Sequence, residues 1–176
     1  MPISLPNRSG RASSWACPSE MAIPAHAPAA GDPGSDARTP LHVHASTVAV
    51  GDAAVLVSGR AGSGKSALAL QLMAMGADLV ADDITCLWCV GDGLLADVPE
   101  AIRGRIEARG VGILNAAPRG PVPMALWVDL DTPEAGRLPP RRTRAVLGCE
   151  VPLFHNPGTG CFSAAIVQYL RYGRYA

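Results

Sequence analysis

The residues best suited to chemistry form one continuous stretch, Gly59-Arg60-Ala61-Gly62-Ser63-Gly64-Lys65-Ser66. It fits the pattern G-x-x-x-x-G-K-[ST], which is typical of a phosphate-binding P-loop. Its glycines let the main chain turn tightly and approach a phosphate, and its N–H groups lie at the positive end of the following helix. Lys65 would bind the β- and γ-phosphates, and the Ser66 hydroxyl would bind Mg²⁺. Lys65 is also the only lysine of the chain.

A pair of carboxylates, Asp82 and Asp83, follows Lys65 by seventeen and eighteen residues. The pair comes directly after the short apolar run Leu79-Val80-Ala81, which suits a buried strand. Ligands of α/β sheets bind beyond the carboxyl ends of the strands, so we expect the pair to lie near the P-loop. Carboxylates there could hold Mg²⁺ and accept the proton of an attacking hydroxyl.

The elements that must position these residues can be read from the flanking sequence. Residues 53–58 are apolar and partly β-branched, which predicts a strand before the P-loop, and residues 66–75 are strong helix formers that end at Gly76. The helix is apolar on most sides, so we expect it to be buried. Further strands are predicted at 42–50, 84–90, 94–98 and 124–130, with a last helix at 163–171 that uses Ser163 as its N-cap. The sequence therefore predicts a strand-rich α/β domain with few helices.

The composition excludes several classes of function. Basic and acidic residues number 15 each, and aromatics make up 5% of the chain, so neither a nucleic-acid surface nor an anionic membrane surface is indicated. No apolar run is long enough to span a bilayer, and no signal peptide is visible, so we expect a cytoplasmic protein. Residues 1–40 are rich in Pro, Ala, Ser and Gly, which predicts a disordered tail before a domain at 41–176; Met21 could be the true start.

The five cysteines do not indicate a disulfide framework, because their number is odd and no secretory signal is present. Cys86 and Cys89 have C-x-x-C spacing, but they lie on a predicted strand where they would face opposite sides. We therefore expect free thiols rather than zinc or redox chemistry.

Three blocks of the sequence together resemble the catalytic domain of the HPr kinase/phosphorylase family. They are the P-loop, the block Leu79 to Asp83, and Ile106-Glu107-Ala108-Arg109-Gly110-Val111-Gly112-Ile113-Leu114-Asn115, in the family's order and spacing. The resemblance covers roughly residues 41–155. It implies a P-loop kinase fold of the phosphoenolpyruvate carboxykinase-like type, with ATP and Mg²⁺ as cofactors, HPr or an HPr-like phosphocarrier as protein substrate, and a hexameric assembly.

The resemblance also implies roles for single residues. Asp83 would be the base that accepts the proton of the substrate serine, and His44 matches a family histidine near the phosphate. Glu107 matches the family's second Mg²⁺ carboxylate and would join Ser66 around the ion; Asp82, beside Asp83, is a further candidate ligand because of its position at the strand end. Arg137, followed by Leu138, is similar to a later E-R-L segment and is a candidate for stabilising charge.

The sequence departs from the family at three places. Full-length members carry an additional N-terminal domain, whereas only the tail precedes Leu41 here. The residue after Ser66 is Ala67 instead of the frequent glutamate. Members that also dephosphorylate have an arginine-containing I-P-V-R-P-G-R-like loop, whereas residues 151–160 contain no arginine. The phosphorylase reaction is therefore left open.

Two other functions fit a P-loop. A small-molecule kinase would need a lid and more helices than the sequence predicts. A nucleotide-binding regulatory module would keep the P-loop but would not need Asp83 or His44. A GTPase is disfavoured, because its N-K-x-D motif requires a second lysine.

Overall fold

The computed structural model describes residues 39–175, so almost all of the predicted tail lies outside the described residues. The strands are β1 (Leu41–Val50), β2 (Ala53–Ser58), β3 (Asp78–Ala81), β4 (Ile84–Val90), β5 (Gly93–Asp97), β6 (Arg105–Ala108), β7 (Gly112–Asn115), β8 (Val122–Pro133), β9 (Thr143–Val146) and β10 (Cys149–Asn156). The helices are α1 (Lys65–Ala74) and α2 (Phe162–Tyr172), and a short 3-10 turn lies at Glu100–Ile102. The expected strand-rich α/β class is confirmed.

Strand direction brings several carboxyl ends to one edge of the sheet. β2 and β3 both pair antiparallel with β1, so they run in the same direction. β8 pairs parallel with β2, and β10 pairs parallel with β8. The ends of β2, β3, β8 and β10 therefore share one edge. β1 runs in the opposite direction and passes this edge at Ala45, which lies opposite Ser58. We call this edge the carboxyl edge.

The other half of the sheet folds over and closes a ring. The beginning of β1 pairs with β4, β4 pairs with β5, and β5 pairs with the beginning of β8, which itself pairs with β2. The long strands β1 and β8 can serve both halves because each changes neighbours along its length. β6 and β7 form a separate two-stranded hairpin.

Both faces of the central strands are buried. Along β2, Ala54 and Leu56 pack inside the ring, whereas Val55 and Val57 face the helices. This period of two is the alternation of a β-strand, and apolar residues at successive positions fit a strand covered on both sides. The uniformly apolar sequence of β2 is explained by this double burial.

Two predictions about the helices are corrected. α1 buries only one face, with Leu68, Ala69 and Leu72 among its buried residues, while Gln71 is exposed. The N-cap of α2 is Cys161, not Ser163, and Ser163 is instead a buried residue of the first turn. No helix in residues 39–175 combines the length and hydropathy needed to cross a bilayer.

The prediction of free thiols is wrong for two cysteines. Cys89 forms a disulfide with Cys149, 60 residues later, because β4 and β10 converge in the folded chain. Cys86 and Cys161 are free, the first buried and the second exposed. Burial of Cys86, together with the charge of nearby Asp97, raises the pKa of its thiol. The Cys89–Cys149 pair depends on how β4 and β10 meet in the folded chain, which the local sequence does not indicate.

Candidate active site

The carboxyl edge brings the P-loop and the acidic pair together. Gly59 to Ser66 follow β2, and Asp82 and Asp83 follow β3. β1 lies between those two strands, so its residues His44 and Ser46 reach the same place. The expectation that the two motifs would meet is confirmed by the hydrogen bond from Ser66 Oγ to Asp82 Oδ1, 2.9 Å long.

The P-loop has a conformation that depends on its glycines. Gly59, Gly62 and Gly64 have φ angles of 153°, 80° and 97°, all in the region that disfavours side chains. Lys65 begins α1, and its ammonium donates hydrogen bonds to the carbonyl oxygens of Gly59 and Arg60, at 2.9 and 3.2 Å. The Lys65 side chain therefore folds back over the P-loop, and its ammonium lies against the first two residues of the loop.

Asp82 is held by three hydrogen-bond donors. Oδ1 accepts from Ser46 Oγ at 2.6 Å and from Ser66 Oγ at 2.9 Å, and Oδ2 accepts from the Glu107 N–H at 3.0 Å. The residue is nearly buried. A carboxylate fixed in this way has a defined direction, which suits an ion or phosphate-bound metal more than a mobile base.

Asp83 has very different surroundings. Its side chain is 69% exposed and lies 2.9 Å from His44 Nδ1, and the same nitrogen lies 2.9 Å from the Asp83 carbonyl oxygen. Its φ of 75° is rare for a residue other than glycine, and the Ala45 N–H donates to its carbonyl oxygen at 3.2 Å. The main chain is thus turned so that the carboxylate of Asp83 projects into solvent beside the imidazole.

Two acidic residues at the end of β8 complete the base of the P-loop. The Arg60 N–H donates to both carboxylate oxygens of Asp131, at 3.0 and 2.9 Å. Burial of Asp129 acts to raise its pKa, but hydrogen bonds from Asp131 and Thr132 outweigh burial and hold the pKa below its ordinary value. Asp129 therefore stays ionised while it fixes the turn that carries Asp131.

Sequence reasoning missed Ser46 and Asp131. Asp131 follows an apolar strand just as Asp82 does, so the rule for strand ends could have found it. Ser46 gave no signal, because a serine inside an apolar strand has no characteristic spacing. Its partner is 36 positions away and becomes a neighbour only through β1–β3 pairing.

Two predicted site residues, Glu107 and Arg137, do not join the hydrogen bonds around Ser66 and Asp82 through their side chains. The Glu107 side chain is exposed on β6, and only its main-chain N–H reaches Asp82. Arg137 is exposed in the segment between β8 and β9, and the structure gives it no hydrogen bond or ion pair with Lys65, Asp82 or Asp83. Their assigned roles stay predictions.

The residues at the carboxyl edge fit a nucleotide with Mg²⁺. The Ser66 hydroxyl and the Asp82 carboxylate offer the hard oxygen ligands that Mg²⁺ prefers, and the ion commonly needs only one or two protein ligands besides phosphates and water. Ser63 Oγ, inside the P-loop, is buried without a hydrogen-bond partner. Burying a hydroxyl without a hydrogen-bond partner is unfavourable, and a phosphate oxygen bound in the loop would supply that partner.

Residues 37–118 match a family model described as HPr Serine kinase C-terminal domain. Among solved structures, that of the Hpr(Ser) kinase/phosphatase from Coxiella burnetii is similar, with a TM-score of 0.65 and 27% sequence identity. The similarity covers 74% of this chain and 94% of that chain.

Curated relatives agree with that likeness. The HPr kinase/phosphorylase of an Exiguobacterium species is 34% identical over 128 residues, which cover 65% of this chain and 41% of the relative. The HPr kinase/phosphorylase of Chloroherpeton thalassium is 34% identical over 129 residues, which cover 66% of this chain and 38% of the relative. The chain thus spans about two fifths of the length of these relatives.

Proposed function

We propose that the chain, which matches the model described as HPr Serine kinase C-terminal domain over residues 37–118, is an ATP- and Mg²⁺-dependent protein kinase acting on a serine of HPr or an HPr-like phosphocarrier. The observation that carries the proposal is the contact of Ser66 with Asp82, with Asp83 adjacent and exposed. A phosphate loop, a metal carboxylate and a candidate base thus lie together.

The residues would divide the work of phosphoryl transfer among them. The N–H groups of Gly62 to Ser66 and the Lys65 ammonium would bind the β- and γ-phosphates. Ser66 and Asp82 would hold Mg²⁺, with Glu107 as the expected further carboxylate; the ion, when bound, neutralises charge that develops on the phosphates.

Asp83 would orient the substrate serine and accept its proton. The serine Oγ–P bond forms as the bond from the γ-phosphorus to the bridging oxygen breaks, and the leaving group is ADP. The His44 imidazole, 2.9 Å from Asp83, would keep that carboxylate in one direction. Arg137, which is exposed between β8 and β9, is the expected residue for stabilising charge on the phosphates. Most of the catalysis would come from positioning and electrostatics.

The openness of the site supports a protein as the acceptor. The side chains of Asp83 and His44 are 69% and 56% exposed, so a serine on a folded surface can reach them. A small-molecule kinase generally encloses its acceptor to exclude water. A regulatory nucleotide-binding module has no need for the contact between Asp83 and His44.

One experiment tests the proposal. The purified protein is incubated with γ-labelled ATP, Mg²⁺ and the phosphocarriers of its own organism, and the products are analysed for phosphoserine. We expect label on one serine of an HPr-like protein and none with Lys65→Ala, because that variant lacks the only lysine charge of the P-loop. Absence of labelled phosphocarrier, or equal transfer by Lys65→Ala, would contradict the proposal. Light scattering on the same sample tests the hexamer expected from the resemblance.

A further inference from the structure

The segment that connects β8 and β9, residues 134–142, presents an exposed apolar side chain on a firmly held loop. We call it the Leu138 loop. Leu138 is 78% exposed. Isolated exposed leucines are common, so exposure alone indicates nothing. The surroundings of Leu138 are what distinguish it.

Both ends of the Leu138 loop are fixed. The Glu134 N–H donates to the Asn156 carbonyl at 2.7 Å, and the Leu153 N–H donates to the Arg142 carbonyl at 2.9 Å. Glu134 also joins the two ends, since its carboxylate accepts from the Gly136 N–H at 2.9 Å and from Arg142 Nη1 at 2.6 Å.

The tip of the loop is restricted as well. Pro139 and Pro140 have fixed φ angles, and a residue before proline, such as Leu138, is confined to extended conformations. Arg174 donates to the Pro139 carbonyl. Leu138 is therefore held out in solvent by a loop with little freedom to bury it, an arrangement that lowers the entropic cost of binding a partner.

Arginines precede and follow Leu138 along the loop. Arg142 is paired with Glu134, but Arg137 and Arg141 have no carboxylate within ion-pair distance in the described part of the chain. Arg141 donates to a main-chain oxygen, that of Arg174, at 3.3 Å, so its charge is not neutralised. The whole chain has a formal net charge of zero, so this is a local excess of positive charge.

The Leu138 loop leaves the sheet at the carboxyl edge, which also carries the P-loop. It starts directly after β8, whose residue Asp131 binds the Arg60 N–H, and its first residue is bonded to the end of β10. Both strand ends belong to the carboxyl edge. We therefore expect a protein that brings a serine to Asp83 to approach this edge, from which the Leu138 loop extends.

We infer that the Leu138 loop is a docking surface for the serine-bearing protein substrate, with Leu138 entering an apolar depression and Arg137 and Arg141 facing acidic residues around it. The inference rests on the proposed function. Apolar anchors flanked by arginine are typical of the parts of interfaces that contribute most to affinity. A symmetric contact between two copies is disfavoured, because it would place the same arginines against each other.

The test compares variants of Leu138 and Arg141 with a matched control. Leu138→Ser removes the anchor, and Leu138→Ile should retain most of it. Leu147→Ser makes the same change at another exposed leucine, in the turn between β9 and β10, away from the carboxyl edge. Initial rates are measured against HPr and, separately, against ATP.

For Leu138→Ser we expect the KM for HPr to rise about tenfold, the scale of a central interface residue, with the KM for ATP and the melting temperature unchanged. Leu138→Ile and Leu147→Ser should resemble the wild type. For Arg141→Gln the KM for HPr should rise less and depend less on salt, because a screened attraction has been removed.

The contrary outcomes are distinct. If the wild type phosphorylates HPr and Leu138→Ser has an unchanged KM for HPr, the docking surface is wrong and the proposed function stands. A change in molecular mass without a change in that KM would show a contact between copies, which also overturns the inference. If the wild type does not phosphorylate HPr, the proposed function is wrong and the inference falls with it.

Discussion

Adjacent acids at the end of β3 have opposite environments. Asp82 is nearly buried and accepts three hydrogen bonds, whereas the carboxylate of Asp83 is exposed and lies beside His44. A carboxylate fixed by donors is suited to orienting a metal and its ligands. An exposed one beside an imidazole is suited to receiving a proton from an incoming hydroxyl. We therefore expect substitutions at the two positions to have different consequences.

Asp83→Asn should reduce phosphoryl transfer to serine by roughly 10²–10⁴, the usual effect of losing a general base. Thermal stability should hardly change, because asparagine tolerates the positive φ of this position. The binding of ATP with Mg²⁺ should change modestly. Transfer rates, nucleotide affinity and the melting temperature check these expectations.

Asp82→Asn should lower stability as well, by about 1–3 kcal/mol, because an amide NH₂ cannot accept hydrogen bonds as the lost oxygen did. Nucleotide affinity should become more dependent on Mg²⁺ concentration. Wild-type transfer in Asp83→Asn together with a collapse in Asp82→Asn would show that the two roles are reversed.

At the scale of elements, the P-loop is held between two strands. Its first residue packs so closely that a Cβ at Gly59 would lie 2.5 Å from Ser63 Oγ and 3.2 Å from Leu130 Cβ. Its second residue is bonded to Asp131 at the end of β8. The first two residues of the loop are thus held in place, and the Lys65 ammonium is bonded to their carbonyl oxygens.

Gly59→Ala should weaken ATP binding by at least about tenfold. The new methyl group collides with Ser63, and a φ of 153° costs an alanine on the order of 1–3 kcal/mol. Gly160→Ala is the matched control, since a Cβ there meets nothing within 4 Å and no positive φ is involved. Titration with a fluorescent ATP analogue measures both. Equal affinities would mean that the loop conformation does not depend on Gly59.

The Leu138 loop should respond to pH through Glu134. The N–H of Gly136 holds the pKa of Glu134 below its ordinary value, and Arg142 adds to the effect. A carboxylate with a lowered folded-state pKa stabilises the fold above its unfolded-state pKa, and this contribution disappears as the pH falls through the folded-state value.

The melting temperature of Glu134→Gln should therefore lie below that of the wild type near neutral pH. The difference should shrink as the pH falls below about 4, because a protonated Glu134 resembles glutamine. Glu150→Gln, at an exposed position on β10, serves as the control and should show little difference at any pH. A difference that stays constant from about pH 7 to about pH 3 would contradict this account of the loop.

At the scale of the whole molecule, the ring of strands and the two helices bury two apolar clusters on opposite faces of the central sheet. Leu56 and Leu87 belong to the cluster inside the ring, and Leu72 and Ile166 belong to the one beneath the helices. Because both clusters share β1, β2 and β8, we expect residues 41–175 to unfold as one cooperative unit.

Deletion of residues 1–40 should leave the melting temperature and the kinase activity nearly unchanged. The composition of that segment offers no periodic apolar face that could dock on the domain. Calorimetry and the HPr assay on the full chain and on the shortened chain make the comparison. A large loss of either property would show that the segment contributes to the fold or to the site.

The sequence by itself determined the P-loop, the strand and helix around it, and the acidic pair. These features depend on residues that are close along the chain, where glycine conformations, strand alternation and helix propensity act locally. The roles of the remaining predicted site residues, including Glu107 and Arg137, are still predictions. The meeting of the P-loop with Asp82 could be foreseen, because strand ends share an edge in any sheet of this kind.

Only the tertiary structure decided the contacts that depend on pairing between distant strands. Ser46 reaches Asp82, Asp131 reaches Arg60, and Cys89 pairs with Cys149 across 36, 71 and 60 residues. Register and sheet closure set these distances, and neither follows from local propensity. The exposure of Leu138 was decided in the same way, because Glu134 and Arg142 close the loop only once β8 and β10 lie side by side.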